Sequence, residues 1–200
     1  MNNTASRNQT NVSKLSRNDR LSAVLAVTLT FGAIALGLLF RQEATNQTWL
    51  FESRAAGIAA RYPAGWLVDE RGNYVARIRD PRARPYKTQY VISVVPVSSQ
   101  STVRNVLDSL TLQRASDLAA YRVLLVEEIA TSGAARTRMR FAFVDADPNP
   151  FIQRLPVVVL GEDIIILDGN RAIVATFMAD KDAYDTDHPA FERFLASLRH

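Results

Sequence analysis

Cysteine is absent from all 200 residues. That excludes disulfides, thiolate metal centres, cysteine nucleophiles and lipid attachment to an N-terminal cysteine. Histidine is almost as scarce: His188 and His200 are the two in the chain, too far apart in sequence to form a paired metal motif. There is no Gly-x-Ser-x-Gly, no phosphate loop ending in Gly-Lys-Ser/Thr, and no Gly-x-Gly-x-x-Gly. The chain therefore reads as non-enzymatic, with no cofactor motif. Charge of one sign is barely in excess. The formal net charge is +4, and residues 1–20 hold most of it, with four bases against one acid. The basic character is thus a feature of one end and does not point to nucleic acid.

What the chain has is one long apolar run. Leu21 to Phe40, LSAVLAVTLTFGAIALGLLF, holds 20 residues without a charge and reads as a transmembrane helix of about 30 Å at ~1.5 Å per residue. Arg7, Lys14, Arg17 and Arg20 precede it against Asp19, whereas Arg41 and Glu43 follow it. The positive-inside bias then keeps residues 1–20 in the cytoplasm as a polar, disordered tail and places the rest outside the cytoplasmic membrane. Ala33-Ile-Ala35 has the small-x-small form of a signal-peptide cleavage site. The apolar run continues past it through Phe40, which favours an anchor. Within the run Ser22, Ala26, Thr30, Ala33 and Gly37 fall on one helical face, a pattern found where a second membrane helix approaches closely.

Residues 41–50 read as a linker and residues 51–200 as one folded extracytoplasmic domain. Its pattern predicts an α+β fold, a largely antiparallel sheet with helices packed on it. In GIAARYP, Ile58, Ala60 and Tyr62 alternate onto one face, Pro63-Ala-Gly65 turns the chain as a hairpin, and WLVDE leaves as the next strand. Tyr74, Ala76 and Ile78 share a face in YVARIR. TQYVISVVPV, apolar on both faces, reads as a central strand. A helix opening at Ser101 or Thr102 carries the stripe Val103, Val106, Leu107 and Leu110. Further strands follow over Tyr121 to Ile129, Ala135 to Val144, LPVVVLGEDIIIL and RAIVATFMA, the last two joined by Asp168-Gly-Asn170. The terminal helix is expected from about Pro189 to Leu198 with Asp187 as its N-cap.

Two charged groups are candidates for binding. Arg77, Arg79, Arg82, Arg84 and Lys87 gather within 11 residues, and Arg136, Arg138 and Arg140 alternate onto one strand face. If the sheet brings them together they form a patch for an acidic partner or lipid head groups; otherwise they are solvated strand faces. The second group is DKDAYDTDH, with Asp180, Asp182, Asp185, Asp187 and His188. Its carboxylates suit calcium in number, but Tyr184, Asp185 and Phe191 stand where a calcium-binding hand needs a ligand, a glycine and a glutamate. A solvated loop leading into a capped helix accounts for the acids without a metal.

The motif Gly57-Ile58, Tyr62-Pro63, Gly65-Trp66, with the closing Phe191 to Leu198 helix and the order of elements over 51–200, resembles the PsbP-type family. That family's best-known members are extrinsic lumenal subunits of photosystem II. The resemblance implies the fold, an extracytoplasmic setting and a non-catalytic role in a larger membrane assembly. Tyr62, Pro63, Gly65 and Trp66 carry over as structural residues of the turn. The expectation is therefore a single-pass accessory or scaffolding subunit, related to electron transfer if the resemblance extends so far. The alternative is a membrane-tethered ligand- or metal-binding domain. Its expected partners are the membrane itself and other subunits of a membrane complex.

Overall fold

The computed structural model describes residues 24–37, 47–98, 100–131, 134–146 and 155–200. The polar tail, Ser22 of the small-residue face, most of the linker and the Ser132-Gly133 turn lie outside them. Residues 24–37 form helix α1, in which the Thr28 and Thr30 hydroxyls donate to the Val24 and Ala26 carbonyls four residues back. No helix among the described residues is long and apolar enough to cross a membrane. Both ends of the 21–40 run fall outside those residues. The chain divides into a unit ending at Asn46 and a second spanning Gln47–His200.

The second unit is an α+β fold built on a large antiparallel sheet. Its strands are β1 (Thr48–Ser53), β2 (Ile58–Pro63), β3 (Leu67–Asp69), β4 (Ala76–Arg79), β5 (Gln89–Pro96), β6 (Ala119–Thr131), β7 (Ala134–Asp145), β8 (Val157–Asp168) and β9 (Arg171–Asp180). Helix α2 (Val103–Asp117) lies between β5 and β6, and α3 (Tyr184–Ser197) follows β9. Seven strands pair antiparallel in the order β3-β4-β5-β9-β8-β7-β6, and β1-β2 forms a separate two-stranded sheet. The central strands are β5, β9 and β8, as the two-sided apolar pattern of TQYVISVVPV predicts.

Register fixes what each face of the sheet carries. Ile78, Tyr90, Phe177, Glu162 and Arg140 stand opposite one another on one face; Arg77, Val91, Thr176, Asp163 and Met139 stand on the other. Helix α3 covers the first. Its Phe191 and Phe194 meet Tyr90 at ring-centroid distances of 5.3 and 5.0 Å, and Trp66 closes on the same Tyr90 at 4.7 Å. Helix α2 covers the second, where buried Val106 packs with Ile165, Ala172 and Val174, flanked by Val103, Leu107 and Leu110. The predicted stripe is thus the seam of α2. On this face Phe141 lies across Gly161, its partner in register, where any Cβ would overlap the ring.

Two expectations are corrected. The Tyr62–Trp66 stretch is not a hairpin. β2 pairs with β1 on one side and bridges through Ala59 to Arg199 on the other, so neither edge is open to β3. The chain instead crosses to the margin of the large sheet, with Gly65 at φ +82° allowing the turn and the Trp66 N–H reaching the Pro63 carbonyl at 3.4 Å. Tyr62 and Trp66 are both buried at 8% exposure, so each end of the crossing is fixed in the core. Helix α3 begins at Tyr184, ahead of the expected Pro189, and carries that proline inside it. One backbone hydrogen bond is lost there. It is outweighed by Tyr184, His188, Phe191 and Leu195 forming one stripe, in which the Tyr184 ring packs on Phe177 at 5.1 Å and on His188 at 5.5 Å.

Candidate functional site

Adjacent residues of β8, Glu162 and Asp163, are both wholly buried carboxylates and point to opposite faces. Strand alternation requires this divergence. Neither burial would be tolerated without compensating charge, because an isolated carboxylate in a low-dielectric interior is strongly disfavoured.

On the α3 face Glu162 is the hub of a cluster. Arg140 Nε donates to its Oε2 at 3.0 Å, the Tyr184 hydroxyl donates to the same oxygen at 3.2 Å, and Arg138 Nε lies 3.3 Å from Oε1. His188 Nε2 is 3.2 Å from Oε1, and since a carboxylate only accepts, that nitrogen is the protonated one. Arg138 also donates to Glu127 and to Glu192, each at 3.1 Å. Burial, and then the Glu162 charge, pushes the Tyr184 hydroxyl well above the usual phenol range, so it stays a donor. The hydrogen bond to Glu162 holds the Arg140 guanidinium above its ordinary value.

Glu162, His188 and Glu192 offer ligand atoms within 4.8 Å of one another, the one such group of His and acids among the described residues. The donor set suits a transition metal in kind. The Arg138 guanidinium, however, already bridges Glu162 and Glu192, and His188 Nε2 carries a proton. A cation would have to displace both. Of the DKDAYDTDH stretch Tyr184 and His188 reach this cluster, and none of its four aspartates does. Asp180 accepts the Asp182 N–H at 2.8 Å, Asp187 accepts the Thr88 hydroxyl at 2.6 Å, and Asp185 and Asp187 lie in the first turn of α3. Their carboxylates are placed as turn and helix-end groups, where negative charge is favourable.

On the α2 face Asp163 forms a two-pronged pair with Arg114, through a short contact to Nη1 and a 2.8 Å bond from Nη2. The Thr176 hydroxyl donates to Asp163 at 2.7 Å. The guanidinium stacks over the Phe141 ring at 4.3 Å. Burial lowers the Arg114 pKa and the Asp163 charge more than restores it, leaving the arginine above its usual value.

The sheet separates the two arginine groups that the sequence offered as one patch. Arg136, Arg138 and Arg140 lie on the α3 face of β7, and Arg138 and Arg140 are neutralised there by acids. Arg77 and Arg79 lie on the α2 face of β4, with three strands between. Alternation puts Arg136, Arg138 and Arg140 on one face of β7, as the period-2 reading has it, but strand order and the identity of that face are set by long-range pairing.

Arg77, Arg79, Arg84 and Lys87 line one groove of about 630 Å³ with Pro85, Tyr86, Gln89 and Asp145. The Nε atoms of Arg77 and Arg79 are buried and without a hydrogen-bond partner, each a cost of about 1–3 kcal/mol if left so. Arg77 lies over the Tyr74 ring at 4.5 Å. Arg84 donates to the Pro81 and Ala83 carbonyls and Lys87 to the Pro81 carbonyl, so both are oriented by neutral acceptors. Arg82 turns away to Asp80, 3.6 Å off.

No protein-family model and no curated protein matches this chain. Solved structures do. The solution structure of cyanobacterial PsbP from Synechocystis sp. PCC 6803 superposes with a TM-score of 0.57 at 15% identity, covering 76% of this chain and 91% of that one. The Ran-binding protein Mog1p of Saccharomyces cerevisiae gives 0.51 at 8% identity, over 76% and 95%. At these identities the likeness is one of fold, and the fold is PsbP-like.

Proposed function

We propose that this chain is a single-pass membrane-tethered accessory domain that holds partners rather than converting a substrate. The observation that carries this reading is where its charges are left uncompensated. The buried acids that acid-base chemistry would need, Glu162 and Asp163, are occupied by Arg138, Arg140 and Arg114 inside the fold. Among the described residues no ion pair joins Arg77, Arg79, Arg84 or Lys87 to an acid, and these four cations outnumber Asp145, the one acid that lines their groove. Leftover charge of one sign, concentrated in one groove, suits electrostatic docking of something anionic. The tether in this reading is the Leu21–Phe40 run, and the excess of bases before it orients the folded unit away from the cytoplasm. The PsbP-like fold supports an accessory role by analogy.

The test is purification of the full chain from its native membranes in mild detergent. We expect other subunits to accompany it in fixed stoichiometry, and its N-terminus to be protected from protease added outside intact cells. A chain that migrates alone, under conditions where known membrane complexes survive, overturns the accessory role. The second reading, a membrane-tethered ligand-binding domain, is favoured by the size of the same groove, which lies in the range of small-molecule pockets.

A further inference from the structure

We infer that the basic groove is a site for a phosphate group carried on a larger molecule. Arg77 and Arg79 stand two residues apart on β4, so their side chains rise from one face of the sheet. Arg84 and Lys87 line the same groove from the loop that follows. Among the described residues no ion pair joins any of these four to a carboxylate. Asp145 is the one acid in the lining. Asp69, opposite Arg77 in register, accepts from the Arg71 N–H at 3.0 Å and the Tyr74 hydroxyl at 3.1 Å. These bonds, with the charges of Arg71 and Arg79, hold its carboxyl below the usual range, so it offsets part of the positive charge at this edge without an ion pair to the four cations.

The chemistry of the donors selects the anion. A carboxylate offers two oxygens in one plane and a single charge, which one guanidinium fork can hold, as Arg114 holds Asp163, or two arginines can share, as Arg138 and Arg140 share Glu162. Three guanidiniums and an ammonium around one groove exceed both of those arrangements and suit a tetrahedral group that offers oxygens in several directions and carries up to two charges, which describes a phosphate ester. Tyr86 and Pro85 form a less polar wall, and the groove exceeds the size of phosphate alone, so the remainder of the ligand has room beside it. A membrane lipid headgroup and a soluble phosphate ester share this chemistry. The inference rests on the reading that the groove's charge is compensated from outside the chain, and it is independent of the tether and of partner subunits.

The experiment uses the full chain in two settings. In detergent, inorganic phosphate is titrated while thermal stability is followed, with acetate at equal ionic strength as the control. In bilayer nanodiscs of phosphatidylcholine, with and without phosphatidic acid, hydrogen exchange is followed over residues 77–89. A saturable shift with phosphate and none with acetate supports a soluble ester. Protection only in discs containing phosphatidic acid supports a lipid headgroup. Arg77→Gln with Arg79→Gln is expected to weaken either response about tenfold or more. The double lysine variant, which keeps charge and loses the forks, should fall between. If the glutamine variant does not fold, the lysine variant carries the comparison. No response in either setting, an equal response to acetate, or variants that respond like the parent chain would overturn the site. Loss of the phosphate response while stoichiometric partners still co-purify defeats this inference alone. Phosphate binding by a chain that purifies without partners defeats the accessory role alone.

Discussion

Glu162 and Asp163 are neighbours in β8, equally buried, and the two faces of the sheet accommodate them in opposite ways. Asp163 has a two-pronged arginine and one hydroxyl, under a helix and an aromatic ring. Glu162 has two arginines, a tyrosine and a histidine, and the cluster runs outward through Arg138 to Glu127 and the half-exposed Glu192. The difference lies in the cations. Among the described residues Arg114, 16% exposed, has no second acid, whereas Arg140 is 40% exposed and Arg138 reaches three carboxylates. A closed pair should be brittle, because either partner alone is stranded in low dielectric. An open network should degrade gradually, because its members have other partners or water.

The sharpest way to break this comparison is to remove each acid in turn. Asp163→Ala strands Arg114 beneath α2 and should cost about 3–5 kcal/mol. Glu162→Ala leaves Arg138 with Glu127 and Glu192 and lets Arg140 reach solvent, so the loss should be smaller, about 2 kcal/mol. Denaturant unfolding of the two variants reads the difference directly, and equal losses would show that the outward connections of the Glu162 cluster contribute nothing. The same logic predicts that the pair, unlike the network, is replaceable. Arg114→Met with Asp163→Leu removes both charges together and should come within about 1 kcal/mol of the parent stability, since a buried ion pair often does little better than well-packed apolar side chains. A double variant as unstable as Asp163→Ala would mean that Thr176 and the Phe141 stacking depend on the charges themselves.

Much of this architecture was legible in the sequence, and the acids mark where legibility stopped. Ile58, Ala60 and Tyr62, Ala76 and Ile78, and the Val103–Leu110 stripe all sit where their periodicity puts them, because a side chain's face follows from strand or helix geometry alone. Glu162 and Asp163 lie inside LPVVVLGEDIIIL, whose pattern reads only as a strand. Yet a strand apolar on both faces is buried on both faces, so two acids within it signal buried charge in need of arginines on neighbouring strands. The arginines of ARTRMRFAFV, one turn away in topology, were the available clue to that pairing. By contrast, nothing in Arg77–Lys87 or Arg136–Arg140 states which face of the finished sheet each would occupy, since that depends on β4 and β7 being separated by β5, β9 and β8. The Tyr62–Trp66 crossing was hidden for a related reason: its residues fit a hairpin locally, and pairing of β2 with β1 and Arg199 is a long-range outcome.

The smallest effect concerns a polar group on the α3 face that belongs to neither arrangement. Tyr90 is fully buried among Trp66, Phe177, Phe191 and Phe194, and its hydroxyl has no hydrogen-bond partner. Burial, followed by the charge of Asp187, drives its ionisation far above the usual phenol range, so the group remains a neutral donor. If the tolerance of the α3 face comes from connection of each polar group to the Glu162 network, Tyr90 is the exception and should contribute nothing through its oxygen. Tyr90→Phe keeps the ring stacking and deletes the orphaned hydroxyl, so stability should be unchanged or rise by up to about 1 kcal/mol. A loss of more than that in the same denaturant assay would place a bound water at the hydroxyl, joining Tyr90 to the polar structure of this face, and the contrast between a connected network and an isolated group would have to be redrawn.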